Sequence, residues 1–229
     1  MIDITNTAIL FFSRSIHGEA QHKYWDKHLN HSKRLELSGL LIKKTLNTLR
    51  GTGLTVYYYD EEIQKGNTFG EKIANAHEDL FQKGHEGIIT VGNDCLELDK
   101  VNWVNLVDSI SNGVTCIGPN YRNGAYLMAT PKLHFDKETF AKLDWQGKTL
   151  LSQLLTLQKN AKVLPQLSDF NDVRDLHLII DQGLVALKLT TLLVRLFSIY
   201  WVKPLAKYTS RLEDLSILRF ISLRAPPAA

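Results

Sequence analysis

The residues best suited to chemistry in this chain stand at Gly92-Asn93-Asp94-Cys95, directly after the run Gly87-Ile88-Ile89-Thr90-Val91. A continuous apolar run bounded by glycines predicts a strand buried on both faces, as in parallel sheets covered by helices. Open α/β sheets bind ligands beyond the carboxyl ends of their strands. Asp94 is therefore placed where a carboxylate can hold a divalent metal or meet a nucleotide phosphate. The competing reading of Asp94 is a turn or helix-capping residue that follows a strand. Cys95 reads as a buried small residue, because the sequence sets no base beside it.

Asn123 and Tyr126 offer polar groups to a ligand, although Asn123-Gly124 is also a turn signal and Tyr126 suits a packed strand. Trp145 can stack on a sugar or base, against the commoner role of a core or interface anchor. His22, His28 and His31 could approach one another on a helix, but no carboxylate or cysteine completes a metal set, so a solvated face is the stronger reading. Gln146-Gly147-Lys148-Thr149 has the ending of a phosphate loop. The full motif needs a glycine where Lys142 stands, so the match fails.

The elements that must position these groups follow from periodicity. Strands are expected at 8–12, 54–59, 87–91, 115–118, 126–129 and 162–164, with helices over 35–49, 69–81, 137–143 and 149–158. Asp99 is expected to cap a further helix running to about 110. This alternation predicts an α/β fold with a mostly parallel sheet. Beyond residue 176 the strand signals stop, and 177–229 reads as a helical appendage to a domain spanning 1–176.

Composition narrows the function classes. A formal charge of +3 over 229 residues is far from the dense basic surface of a protein that grips nucleic acid through phosphates. Two cysteines without zinc-type spacing argue against a disulfide framework or structural zinc and favour a reducing, cytoplasmic setting. No secretory signal is expected from the first residues. The most apolar stretch, 178–202, carries Asp181, Gln182, Lys188 and Arg195, and lacks the roughly 18 uninterrupted apolar residues of a spanning helix. Its leucines suit packing on the main domain or a homodimer, with attachment to an anionic membrane surface as the alternative.

Read in order, Asn67-Thr68-Phe69-Gly70-Glu71-Lys72, Gly92-Asn93-Asp94-Cys95, Asn123-Gly124-Ala125-Tyr126-Leu127, Leu143-Asp144-Trp145 and Leu167-Ser168-Asp169-Phe170-Asn171 resemble a bacterial family of uncharacterised glycosyltransferase-like proteins. Members include arsenosugar-biosynthesis glycosyltransferase-like proteins. The resemblance covers roughly residues 8–176. It implies a three-layer, Rossmann-like glycosyltransferase-A, or nucleotide-diphospho-sugar transferase, fold. It also implies Mg²⁺ or Mn²⁺ at Asp94, with Asp169 at or beside the metal. Ser13, Arg14, Gly18, Lys23 and Asn93 would lie against the nucleotide, and Asn123, Tyr126 and Trp145 on the acceptor side. The chain departs from the family pattern where two cations of a basic loop have become Glu19 and Gln21, and where two acids have become Asn123 and Asn171.

The expected function is metal-assisted glycosyl transfer from a nucleotide-sugar to an acceptor. Because the departures remove charge from the site, a non-catalytic nucleotide-binding or scaffold protein is the alternative. A nucleotidyltransferase is a further one, since fold does not fix chemistry.

Overall fold

The computed structural model describes residues 6–23 and 29–172, together with 175, 190–191 and 193–195. All lie in the unit spanning residues 1–197. The expected boundary at 176, His28 and nearly all of the expected helical appendage lie outside the described residues.

In chain order the elements are β1 (Thr7–Phe12), α1 (Ile16–His22), α2 (His31–Arg50), β2 (Thr55–Tyr59), α3 (Phe69–Gln82), β3 (Gly87–Val91), α4 (Trp103–Ser111), β4 (Cys116–Pro119), β5 (Ala125–Pro131), α5 (Lys137–Ala141), α6 (Leu150–Leu157) and β6 (Lys162–Val163). The six strands form one sheet in the order β2-β1-β3-β5-β4-β6. β1 pairs in parallel with both β2 and β3, and β4 in parallel with β6. β5 runs against both of its neighbours. Its first residues therefore lie at the edge where β1, β3 and β4 end, with Val91 facing Leu127 and Pro119 facing Ala125.

Alternation along the strands divides the core into two layers. Ile9, Phe11, Ile89 and Val91 pack with Leu49, Leu106 and Ile110 on one face of the sheet. Leu10, Phe12, Ile88 and Met128 pack with Ile73, Leu80, Phe140 and Leu154 on the other. The architecture is thus an αβα sandwich with a mostly parallel sheet.

Local chemistry starts the helices. Thr68 and Glu71 form a reciprocal capping box on α3. Asp99 does not cap α4, contrary to expectation: it lies in a 3-10 turn, Leu98–Lys100, and the cap is Asn102, whose side chain accepts from the Asn105 amide at 3.0 Å. α1 falls where the sequence pattern suggests only a loop. His22 ends α1 and His31 begins α2, so these two do not share a helix. Among the described residues no helix is long and apolar enough to cross a membrane.

Candidate functional site

A cavity of about 470 Å³ opens over the carboxyl ends of β1 and β3 and the start of β5. Ser13 and Arg14 enter it where β1 stops. Their backbone is fixed: the Ser13 amide donates to the Tyr59 carbonyl at 3.2 Å, and the Gln64 side chain donates to the Ser13 and Tyr59 carbonyls at 3.0 and 2.9 Å. The Tyr58 hydroxyl donates to the Arg14 carbonyl at 2.6 Å. Just beyond, Ser15 caps α1 by accepting from the Gly18 amide at 3.1 Å. Glu61 then takes the Ser15 amide and hydroxyl, each at 2.5 Å. Burial pushes the Glu61 carboxyl upward, but the bonds from Ser15 outweigh it and hold the group below the usual carboxylate range. Gly18 does not line the cavity. A Cβ there would collide with the Glu61 carboxylate, so the glycine permits the approach that makes this cap.

At the end of β3 the chain turns through Gly92 and presents Asn93 and Asp94. Lys23, one residue past α1, reaches across to them. Its ammonium lies 3.8 Å from an Asp94 oxygen and 3.5 Å from Glu19, and donates to the Asn93 side-chain oxygen at 3.3 Å. Glu19 is nearly fully buried, which is tolerable for a carboxylate only beside such a cation. The Asn93 amide nitrogen is buried and finds no partner among the described residues.

Asp169 arrives from the far end of the described chain. Residues 165–170 run back across the sheet edge. The Pro165 carbonyl accepts from the Tyr126 hydroxyl at 3.0 Å, the Leu167 amide donates to the Pro119 carbonyl at 3.2 Å, and the Phe170 amide donates to the Asp94 carbonyl at 2.7 Å. Asp169 thereby forms a bridge with Cys95 and sits beside Asp94. One of its oxygens accepts from the Asn120 amide group. Asn120 is oriented unambiguously, since its own oxygen accepts from the Arg122 and Gly124 amides at 2.9 and 2.7 Å. The other Asp169 oxygen is buried and has no partner among the described residues. Burial first, and the charge of Asp94 second, push the Asp169 carboxyl up to about 8.

The acceptor-side residues are placed differently. Tyr126 borders the cavity with its ring, but its hydroxyl is committed to Pro165 and burial raises its pKa. Trp145 borders it too, with its indole N–H donating to the Phe140 carbonyl at 2.8 Å and its ring against Phe69 and Phe140. Asn123 does not line the cavity; it turns the chain with φ 63°, and its carbonyl accepts from the Leu151 amide at 3.1 Å. Asn171 likewise stands outside the wall, its amide held by Asp175 at 2.8 Å. The structure brings together Ser13, Arg14, Lys23, Asn93, Asp94, Tyr126, Trp145 and Asp169. It adds Glu19, Glu61, Thr90 and Asn120, which the sequence reading did not single out as site residues. Asn120 alone carried a usable signal, as the first polar residue after a strand.

Residues 40–147 match the model of a family described as "Uncharacterized protein conserved in bacteria (DUF2064)". That match covers less than half of the chain. Among solved structures, this chain is similar to a "putative nucleotide-diphospho-sugar transferase" from Desulfovibrio desulfuricans G20, at 17% identity and a TM-score of 0.67, covering 78% of this chain and 88% of that one. It also matches Rv0371c from Mycobacterium tuberculosis H37Rv at 10% identity and a TM-score of 0.46, covering 77% of this chain and 98% of that one. A glycosyltransferase involved in glycosylation of the major capsid of PBCV-1 matches at 11% identity and a TM-score of 0.40, covering 69% and 80% of the two chains. No curated protein sequence matches. The chain therefore shares its fold with the Desulfovibrio structure, and at 17% identity the likeness extends to fold and not to reaction.

Proposed function

We propose that the cavity binds a nucleotide-diphosphate-sugar and transfers its glycosyl group to an acceptor. The observation that supports this best is the Asp94–Asp169 pair at the ligand-binding edge of the sheet, with one buried Asp169 oxygen unpartnered and the neutral form favoured by burial and by Asp94. Such a pair fits a divalent cation. Among the described residues no third His, Cys, Asp or Glu completes a protein cage. That suits Mg²⁺, which is commonly held by one or two carboxylates together with water and substrate phosphates. Asp94 and Asp169 would hold the ion, which when bound supplies positive charge opposite a leaving diphosphate.

The chain's own residues have separable tasks in this reading. Lys23 and Arg14 add positive charge on the β1 side of the cavity, where diphosphate oxygens gain charge as the glycosidic bond breaks. Asn120 fixes the Asp169 carboxylate, and Asn93 has an N–H to offer the ligand. Tyr126 and Trp145 present ring surface and spend their polar atoms on backbone, so they shape the acceptor side without proton transfer.

The test is calorimetric titration of UDP, GDP, CDP, ADP and their common sugar conjugates, with and without Mn²⁺. Metal-dependent binding of one of them is expected, weakened at least about tenfold in Asp94→Ala. Undiminished metal-dependent binding in that variant would refute the role of Asp94. One observation favours a second reading, a nucleotide-binding protein without catalysis. The carboxylates of Glu19 and Glu61 stand in the cavity wall, and both oppose a bound diphosphate. Product analysis separates the possibilities: nucleoside diphosphate marks glycosyl transfer, inorganic diphosphate marks nucleotidyl transfer, and tight binding with neither marks the non-catalytic protein.

A further inference from the structure

The cavity has two chemically different walls. Charge is concentrated around Lys23, Asp94 and Asp169. The opposite lobe, built on the α3 face of the sheet, is lined by Phe12, Phe69, Ile73, Met128 and Leu150. Thr90, the penultimate residue of β3, sits in that apolar lobe, and its hydroxyl is held from behind by His77 of α3.

His77 is fully buried, its ring nearly parallel to Phe135 at 5.5 Å and inclined to Phe140 at 4.7 Å. His77 Nδ1 lies 2.8 Å from the Ile73 carbonyl, which can only accept, so Nδ1 carries the ring proton. Burial pushes the imidazole down to about 4, so the ring is neutral at physiological pH and Nε2 holds a lone pair. Thr90 Oγ1 lies 2.9 Å from Nε2. The single hydroxyl proton of Thr90 is therefore committed to His77. Among the described residues no donor reaches Thr90 Oγ1, and Thr90 stands in the cavity wall, so its oxygen keeps lone pairs with which to accept.

We infer that Thr90 is a specificity-determining residue: with His77 taking its proton, it is a pure hydrogen-bond acceptor in an apolar, aromatic lobe and selects a ligand ring that buries an apolar face and donates an N–H or O–H there. A ring group that only accepts at this point meets an oxygen lone pair and leaves two acceptors unpaired, a cost that buried sites use to discriminate. The shared chemistry has two sources, a nucleobase edge with N–H and a sugar with a hydroxyl above its C–H face. This inference rests on the cavity of the proposed function being a ligand site, and not on the ligand being a nucleotide-sugar.

The test uses phenol and anisole, which differ in the donor, followed by the side-chain methyl resonances of Ile73 and Met128 in the full chain. Phenol should bind more tightly than anisole. Thr90→Val should weaken phenol about fivefold, as expected for one neutral hydrogen bond, and leave anisole unchanged. Thr90→Ser should keep the preference. Equal binding of the two fragments, a preference that survives Thr90→Val, or no shift from either fragment would overturn the assignment. Because Thr90→Val strands His77 Nε2 and can impair folding, the wild-type chain supplies a second measurement. Long-range ¹H–¹⁵N correlation should show the Nδ1–H tautomer at His77, and the Nε2–H tautomer would equally overturn it. Displacement of phenol by UDP assigns the lobe to the base, and displacement by UDP-glucose but not UDP assigns it to the sugar. Failure of every nucleotide to displace phenol, with the fragment preference intact, counts against the nucleotide-sugar reading alone.

Discussion

Asp169 concentrates the electrostatic problem of the site in one carboxyl. Burial and the neighbouring Asp94 raise it to about 8, far above the ordinary 3.8, so the folded chain binds a proton that the unfolded chain has released across that interval. This group's contribution to stability is complete below about pH 4 and is lost as pH rises through about 8, where a buried charge must be carried beside that of Asp94. Asp169→Asn cannot ionise and can still accept from Asn120. The melting temperature of the metal-free wild type should thus fall relative to Asp169→Asn by at least about 5 °C between about pH 5 and pH 9. Mg²⁺ should close part of that gap at the alkaline end, because a divalent cation prefers the ionised pair. Parallel melting curves for the two proteins across this range would show that Asp169 is already ionised and stabilised by something other than the groups around it here. Nothing in sequence position hinted at this pairing: Asp94 and Asp169 lie 75 positions apart, and only the order of the motifs linked them.

At the scale of elements, legibility tracked how local the determining interactions are. β1 and β3 lie where buried runs placed them, because such strands need no distant partner to announce that both their faces are covered. The reversal of β5 was not read from the sequence although part of it is local: the five residues that join β4 to β5, with Asn123-Gly124 among them, are too few for a parallel crossover and force an antiparallel return, whereas the pairing of β5 with β3 is set by long-range packing. α1 was missed for a related reason. It has seven residues, contains Gly18, and is completed by Glu61, which comes from 46 positions downstream of the cap residue Ser15. Gly70 shows the same non-locality in packing. It opens α3, and a Cβ there would strike the Ala141 carbonyl at the end of α5 and meet the Trp145 ring at 3.0 Å. Gly70→Ala replaces a flexible residue by a better helix former, which alone would stabilise α3 by up to about 1 kcal/mol. Backbone cannot give way as a side chain can, so overpacking should dominate. A net loss of about 1–3 kcal/mol in denaturant unfolding is expected, with the apolar lobe disturbed because Phe69 and Trp145 border it. An unchanged or raised midpoint would mean that α5 slides freely on α3.

Across the whole molecule, the site exists because a late segment is tied back onto an early one. Residues 165–170 carry Asp169 to the end of β3, and Phe170, fully buried, fixes their depth. One tie that lies outside the cavity is Glu97. Its carboxylate is almost wholly buried, accepts from the Ser168 amide at 3.0 Å and pairs with Lys100 at 2.5 Å. Lys100 is half exposed, so losing Glu97 returns that cation to water at little cost, whereas the Ser168 amide loses a buried charged acceptor. Glu97→Ala should accordingly destabilise the chain by about 1–3 kcal/mol. Its more telling effect is on ligands it does not touch. With Ser168 released, Asp169 no longer has one fixed position beside Asp94, and the rise in melting temperature produced by Mg²⁺ should shrink. Glu97→Gln keeps an oxygen for the Ser168 amide while removing the charge, so it should retain most of the Mg²⁺ effect even where it loses some stability. Melting curves of the three proteins with and without Mg²⁺ separate these terms. If Glu97→Ala lowers the melting temperature but leaves the Mg²⁺ increment intact, the segment is a structural strap, and the metal site is organised by Asp94 and the loop after β3 alone.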